Sequence, residues 1–359
     1  MGSDDQLPVT PTGRYSVAHL PRYWYAACLS RELRGKPVAR TVLGVPLALF
    51  RDAAARPVAV LDRCPHRNMP LSLGTRRHGE LECRYHGWRF DAAGACQAVP
   101  GLAVDGADTD KAVRRVDTFP TIERNGIVWV VPSLEAPAVA EPPAIPCVDD
   151  PTYAAVQRRL TLSATLHAAL ENALDVPHTA FLHRGLFRGR TEPVAVHVTV
   201  RHGDGKVEAI YEGEPRPPGV AARLLAPERG EVEHVDRYIL PSIAQVEYRL
   251  GRYHLLITSA YTPVSDFETA LHATVAFRVG VPATVARAAV TPIANWILRQ
   301  DAWVLRNQTA NIRRFGGEHF ASTRIDVLGP HILRMMRRAE RGELDHRPPP
   351  GDDRVTLYV

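Results

Sequence analysis

Two short half-sites, Cys64-Pro-His66 and Cys83-Arg-Tyr-His86, put two thiols and two imidazoles close together in the sequence. That set can ligate a [2Fe–2S] cluster, with both cysteines on one iron and both histidines on the other. Neutral imidazole in place of thiolate leaves such a cluster less negative and raises its potential into roughly the −150 to +300 mV range. The same four residues would also satisfy tetrahedral zinc. Zinc sites usually group cysteine with cysteine and histidine with histidine, whereas each half-site here mixes one of each.

A second group of ligand-type residues lies in Glu171-Asn172-Ala-Leu-Asp175-Val-Pro-His178-Thr-Ala-Phe-Leu-His183. Asp175 and His178 are three apart, so on a helical turn they are neighbours. His183 would point away from them on a regular helix, but Pro177 and Gly185 predict a break that lets both imidazoles meet. Taken alone, two histidines at this spacing suit ordinary packing and capping equally well. Further on, Ile297, Asp301, Val304, Gln308 and Ile312 fall on one helical stripe. An aspartate in a largely apolar stripe points inward and needs a metal or a partner. Asn307 and Glu318 are weaker candidates for that role, and an ion pair from Asp301 to Arg299 or Arg306 is the plain alternative.

Cys-Pro-His-Arg with Cys-x-Tyr-His-Gly-Trp strongly resembles the Rieske iron–sulfur family. The run N-x-x-D-x-x-H-x-x-x-x-H is similar to the mononuclear-iron motif of the Rieske non-haem iron oxygenases. Together the resemblance covers roughly Tyr15 to Arg341. It implies that Cys64, His66, Cys83 and His86 hold a [2Fe–2S] cluster. It also implies that His178, His183 and Asp301 form a facial triad around Fe(II), open to O2 as co-substrate and to an organic substrate. Asn172 and Asp175 fall at catalytic positions of that motif, and Asp175 matches the aspartate that bridges the iron histidine to a cluster histidine of a neighbouring subunit. Trp88 and the loop Gln97–Gly101 match shielding positions, although Trp88 alone suits simple core packing.

The implied fold is α+β. An N-terminal all-β Rieske domain precedes a catalytic domain whose curved antiparallel sheet is covered by helices, a START-like helix-grip. The implied activity is that of a terminal oxygenase, hydroxylating or O- or N-demethylating a largely apolar small molecule. A ring-dihydroxylating dioxygenase or a desaturase on the same scaffold is the nearest alternative, but the dihydroxylating members resemble longer chains with a companion subunit. A pure Rieske electron carrier would need only the first domain, and a lipid-binding protein would have no use for the cluster. No G-x-G-x-x-G joins a strand to a helix, so a separate reductase, with or without a ferredoxin, is the expected electron donor. The shorter chain resembles the homotrimeric members.

Strands dominate the first third: Val38–Phe50, Val58–Leu61 and Ile127–Val131 are β-rich, with the half-sites expected at hairpin tips. Five prolines in the fifteen residues Pro132–Pro146 forbid a helix or a central strand. The expected division is therefore a Rieske domain over 15–135, a linker over 136–147, a catalytic domain over 148–345 and a polar tail over 346–359. Helix-forming composition over Leu162–Val176 is followed by strict alternation at Val194, Val196, Val198 and Val200, then by strands at Val235–Leu240, Gln245–Leu250, Tyr253–Tyr261 and Leu271–Val279. A long helix is expected to start near Pro292 and reach Phe315, with another over Leu328–Arg341. Inward residues of the strands Tyr253–Tyr261 and Leu271–Val279 are expected to line an apolar substrate pocket.

The bulk numbers agree with these expectations. In 359 residues, 45% are hydrophobic and 23% charged, which suits globular domains rather than a disordered chain. No apolar run approaches the ~20 residues that span a bilayer, and the start lacks the marks of a secretory signal, so a cytoplasmic protein is expected. The +5 charge includes no basic block interleaved with aromatics, so no nucleic-acid partner is expected. Beyond the two half-sites remain Cys28, Cys96 and Cys147, read as reduced thiols.

Overall fold

The computed structural model describes residues 15–102, 114–134, 138–139, 141–183, 194–214, 232–343 and 353–358. The chain folds as two compact units, one over Pro21–Ala144 and one built from Ile145–Val359 and the residues just before Pro21.

Strands of the first unit are β1 (Tyr25–Leu29), β2 (Val38–Val42), β3 (Val45–Arg51), β4 (Pro57–Leu61), β5 (Thr75–Arg77), β6 (Glu80–Glu82), β7 (Arg89–Phe90), β8 (Cys96–Ala98), β9 (Thr118–Phe119), β10 (Thr121–Arg124) and β11 (Ile127–Val130). They form three small antiparallel sheets, ordered β1-β11-β10, β2-β3-β4-β9 and β5-β6-β7-β8. Ile127–Val130 is buried at every position, which is why it reads as a continuous apolar run rather than an alternation. Phe50, Val60, Leu71, Leu81 and Phe90 form the core beneath the half-sites, and the Cys64 and Cys83 side chains are part of it. Cys83–Trp88 is the loop of the β6–β7 hairpin, and Cys64 follows β4 after a short turn. The described part of the Pro-rich stretch contains neither helix nor strand.

In the second unit β12 (Ala154–Leu162) leads into α1 (Leu166–Leu174) and the one-turn helix α2 (Thr179–Leu182). Then come β13 (Ala195–Gly203), β14 (Lys206–Glu212), β15 (Glu233–Ile239), β16 (Ile243–Leu250), β17 (Tyr253–Ser265) and β18 (Glu268–Arg278). Two helices, α3 (Ala283–Phe315) and α4 (Gly329–Glu340), precede the last strand, β19 (Asp353–Tyr358). The eight strands make one antiparallel sheet, ordered β12-β18-β17-β16-β15-β14-β13-β19. Across one face the register lines up Val198, Tyr211, His234, Tyr248, Leu255, Phe277 and Ala154. On that face α1 packs over β15–β17, and α3 closes on β12 through Ala286 against Ala154, Val156 and Phe277.

Several expectations need correction. The helix expected over Leu162–Val176 is shorter, because Leu162 ends β12 and Thr165 caps α1 by accepting a hydrogen bond from the Ala168 amide at 3.2 Å. The long helix does not start near Pro292. It starts at Ala283, just after Pro282, and carries Pro292 inside it. Two prolines ten residues apart both look like helix starts, and the second is tolerated in the interior although it lacks an N–H to donate. Finally, 346–359 is not all polar tail: Asp353–Tyr358 is an edge strand, with Val198 opposite Val355 and Val200 opposite Asp353. Val355 and Leu357 alternate with polar neighbours, a strand signal that the preceding Pro-rich run obscures. Among the described residues, no helix is long and apolar enough to cross a membrane.

Candidate metal centres

The two half-sites of the first unit fold into matching turns. The Cys64 amide donates to Met69 O at 2.9 Å and the Asn68 amide to Cys64 O at 2.9 Å. Likewise, the Cys83 amide donates to Trp88 O at 2.8 Å and the Gly87 amide to Cys83 O at 3.0 Å. In each turn the fourth residue after the cysteine is left-handed, with φ 61° at Asn68 and 70° at Gly87. Glycine is needed at 87 for space as well, since a Cβ there would lie 2.9 Å from Pro100 Cγ. The loop Gln97–Gly101 thus closes over the second turn.

Both thiols are buried, Cys64 at 2% exposure and Cys83 at 3%, while the imidazoles extend toward solvent. The His66 and His86 rings stand 4.5 Å apart, and Trp88 stacks on His66 at 4.7 Å with an interplanar angle of 2°. Trp88 also packs against the core below, so it both braces a candidate ligand and fills space. Burial pushes the Cys64 thiol up to about 11, helped by the facing Cys83. The two buried thiols face one another, and the His66 and Arg67 amides point at the Cys64 sulfur, so a metal centre would take both as thiolates with amide support on one side. Four donors on two braced turns fit a [2Fe–2S] cluster.

In the second unit the chain breaks after α1, as Pro177 suggests, and α2 turns His183 back toward His178. His178 Nε2 and His183 Nε2 are 3.2 Å apart. From α3, Asp301 Oδ1 lies 3.1 Å from His183 Nε2 and 3.8 Å from His178 Nε2. An octahedral ion about 2.1 Å from two adjacent donors would hold them about 3 Å apart, so the triangle has the size a facial triad needs. His183 is 2% exposed, and Asp301 Oδ1 is buried without a well-aligned hydrogen bond. Burial lowers the His183 pKa, but Asp301 and Gln300 together raise it above the ordinary value. Each ring is fixed from behind. His183 Nδ1 donates to Gln300 Oε1 at 2.8 Å, and His178 Nδ1 donates to the Asp175 backbone carbonyl. Those bonds leave both Nε2 lone pairs facing the gap, the tautomer a metal requires. The Asp175 carboxylate sits to the side, Oδ2 3.2 Å from the His178 amide and 3.4 Å from its Nδ1.

Beside His178 is a cavity of about 290 Å³, lined by Glu171 and Asn172 of α1, Asp175 just after it, Val304 and Gln308 of α3, and Tyr211 of β14 among others. This is not the apolar pocket expected from the strands Tyr253–Tyr261 and Leu271–Val279, because α1 and α3 lie over the sheet face. Tyr211 stacks on His234 at 4.3 Å, and Tyr248 stacks on it at 4.1 Å. His234 is clamped between Glu214 at 2.6 Å and Asp236 at 2.9 Å. Burial alone would lower its pKa, but the two carboxylates raise it to about 9, so it is an imidazolium at neutral pH. Nothing in the local sequence marks this group, since only the pairing of β14, β15 and β16 assembles it.

Glu171, by contrast, has no cation beside it among the described residues. Burial, with Asp175 and Asp326 nearby, pushes its pKa up to about 7. The folded state therefore holds the Glu171 proton more tightly than the unfolded chain, and stability falls as pH rises from about 4.5 to 7. Glu171→Gln should remove that loss. Allowing for solvent screening, it should add about 1–2 kcal/mol at pH 8 and nothing at pH 4, a melting-temperature gain of roughly a few °C at the higher pH only. An equal gain at both values would show that Glu171 is not the titrating group.

The weaker candidates for the third ligand are elsewhere. Asn307 is exposed and donates to Trp303 O at 2.7 Å, and Glu318 accepts from the Ser16 amide at 2.5 Å and its hydroxyl at 2.8 Å. Arg299 and Arg306 are exposed, and Asp301 faces the histidines. The stripe itself is only half-buried, with Gln308 exposed, and full burial falls at Leu305 and Thr309.

Comparison with known proteins fits this geometry. Residues 23–120 match the family model of the Rieske [2Fe-2S] domain, and residues 162–342 match that of the vanillate O-demethylase oxygenase C-terminal domain. A Rieske domain followed by that oxygenase domain defines the Rieske non-haem iron oxygenases, and the chain belongs to that family. It is 30% identical over 342 residues to the oxygenase component of chloroacetanilide N-alkylformylase from Rhizorhabdus wittichii, covering 90% of this chain and 95% of the relative. It is 36% identical over 207 residues to the oxygenase component of dicamba O-demethylase from Stenotrophomonas maltophilia, covering 56% and 58%. The crystal structure of dicamba monooxygenase bound to dicamba superposes with a TM-score of 0.73 at 25% identity, covering 92% of this chain and all of that one. The chain spans about half the length of several curated relatives it matches, 58%, 45% and 50% in three cases.

Proposed function

We propose that this chain is the terminal oxygenase of a multicomponent Rieske system, inserting one oxygen atom of O2 into a small molecule. Support comes chiefly from the convergence of His178, His183 and Asp301, whose donor atoms lie within 4.8 Å of one another in a family that also carries a Rieske domain. In this reading Cys64, His66, Cys83 and His86 hold the cluster, and the other three residues hold the iron. When bound, the cluster supplies single electrons and the iron supplies a site for O2 reduction next to the substrate.

The remaining work falls to the protein. Gln300 and the Asp175 carbonyl hold both imidazoles as neutral Nε2 donors, and Asp301 contributes one negative charge to a dication. Buried His183 and the cover of α1 and α3 limit the access of bulk water to the reacting atoms. The overall balance is substrate C–H, O2, two electrons and two protons giving C–OH and water. Where the carbon is an O- or N-methyl group, the hydroxymethyl product releases formaldehyde. Demethylation is favoured by the relatives' named reactions, O-demethylation of dicamba and of vanillate. Electrons come from a separate reductase, directly or through a ferredoxin, and the enzyme works in the cytoplasm as a homotrimer. In such a ring Asp175 links His178 to a cluster imidazole of the next subunit.

The test is a product screen by mass spectrometry with a surrogate reductase, a library of O- and N-methylated compounds, and 18O2. One 18O per turnover, in a product alcohol or in released formaldehyde, is expected. Reduction of the cluster without oxygen incorporation into any compound would leave only an electron carrier. Asp175→Asn tests the relay: cluster and iron content should stay near normal and the mass trimeric, with turnover down about 10-fold or more. Full activity in that variant would remove Asp175 from the electron path.

A further inference from the structure

A second group of metal-ligand side chains lies on the edge of the same sheet. His202 of β13, His331 of α4 and Asp353 of β19 each offer one donor atom, all within 4.8 Å of one another. The register explains the meeting. Val200 pairs with Asp353, so His202, two residues along β13, shares their face of the sheet and is Asp353's diagonal neighbour. His331, in the first turn of α4, adds the third donor. The His202 and His331 rings are 4.9 Å apart, and His331 Nδ1 is buried without a hydrogen-bond partner. None of these residues belongs to the iron group or the cluster turns.

We infer that His202, His331 and Asp353 form a further metal site, for a nitrogen-preferring divalent ion such as zinc, which pins the C-terminal strand β19 and helix α4 to β13. Two imidazoles, one carboxylate and a water would complete a tetrahedral zinc shell. Calcium and magnesium are disfavoured, because they need several oxygen ligands and only one carboxylate is present. The charges facing the site are Asp353, Arg334 and Arg338. Burial holds both imidazoles below their ordinary pKa against the pull of Asp353, helped at His202 by Arg334 and Arg338 and at His331 by His202 and Arg334. The guanidiniums oppose any cation, which makes the two nitrogen ligands decisive for affinity. Such an ion would tie together three elements whose sequence positions are far apart, including an edge strand held to the sheet on one side only.

The experiment uses the full, tag-free chain loaded with its cluster and its mononuclear iron. Zinc is titrated in competition with a chromophoric chelator. About one extra zinc per chain is expected, with a melting temperature that rises with zinc concentration and a C-terminal strand that becomes slower to digest. His331→Gln and His202→Gln should weaken zinc binding by about 100-fold or more and abolish both effects, with iron and sulfide content unchanged. Asp353→Asn, at an exposed position, should weaken it in the same direction. His178→Ala should keep the zinc site. Zinc that is lost in His178→Ala but kept in His331→Gln would belong to the iron position and overturn the inference, as would an iron-loaded protein that retains no zinc.

Discussion

Alanine at His183 is expected to remove about one iron per chain and abolish turnover, while the absorption and EPR signals of the cluster persist. The ring is buried at 2% exposure, with its Nε2 3.2 Å from His178 and 3.1 Å from Asp301. Losing it deletes one of three protein donors and leaves the Asp301 carboxylate buried without its neighbour, a loss no surface side chain can repair. Asp301→Ala should give the same loss, or leave weakly held iron and no turnover. Gln300→Ala makes the graded case. It frees the His183 ring to rotate but keeps all three donors, so iron affinity should fall by about 10–100-fold. Metal analysis on the three variants, beside the cluster spectrum, checks the series. Iron and activity retained in Asp301→Ala would break the assignment, since Asn307 and Glu318 are turned elsewhere.

What the sequence disclosed of this site was the chemistry and the order of the residues, not their surroundings. Cys64, His66, Cys83 and His86 were legible because a ligand pair within a few residues is set by one turn. His178 and His183 were legible through Pro177, whose effect on a helix is local. Asp301 stood out as a lone acid on an apolar stripe, yet the stripe misled about depth: Gln308 is exposed, and near Asp301 the fully buried positions are Leu305 and Thr309. The cavity beside His178 was not legible at all. Its walls come from α1 and the turn after it, α3, the segment leading into α4, and β14, so they depend on which sheet face the helices cover, and alternation along a strand leaves that choice open. The His234 clamp and the His202, His331 and Asp353 group were missed for the same reason, since each is assembled by register between strands or by a helix laid across them. The last strand was hidden differently. A six-residue edge strand after a Pro-rich run has too short a period to stand out, and its partner β13 is over 150 residues earlier.

Cys83→Ala should abolish the cluster and reductase-driven turnover together, with acid-labile sulfide falling to background and about one iron per chain remaining. The cysteine's role in its turn makes this a clean test. The bonds that shape the turn, Cys83 N–H to Trp88 O and Gly87 N–H to Cys83 O, are made by backbone, and alanine keeps them. The β6–β7 hairpin therefore has no reason to unfold, and the variant loses a thiolate without losing the loop. Cys96 is the matched control: its thiol is half-buried and bonded to the Ala98 carbonyl at 3.5 Å, and Cys96→Ala should keep full sulfide and colour. His86→Cys tests the imidazole side. A cluster that forms there carries more negative charge, so its potential should drop and its transfer of electrons should slow. Sulfide retained in Cys83→Ala, or lost in Cys96→Ala, would mean that the paired turns do not hold the cluster. A tightly bound zinc without sulfide in the unaltered protein would return the four residues to a structural role.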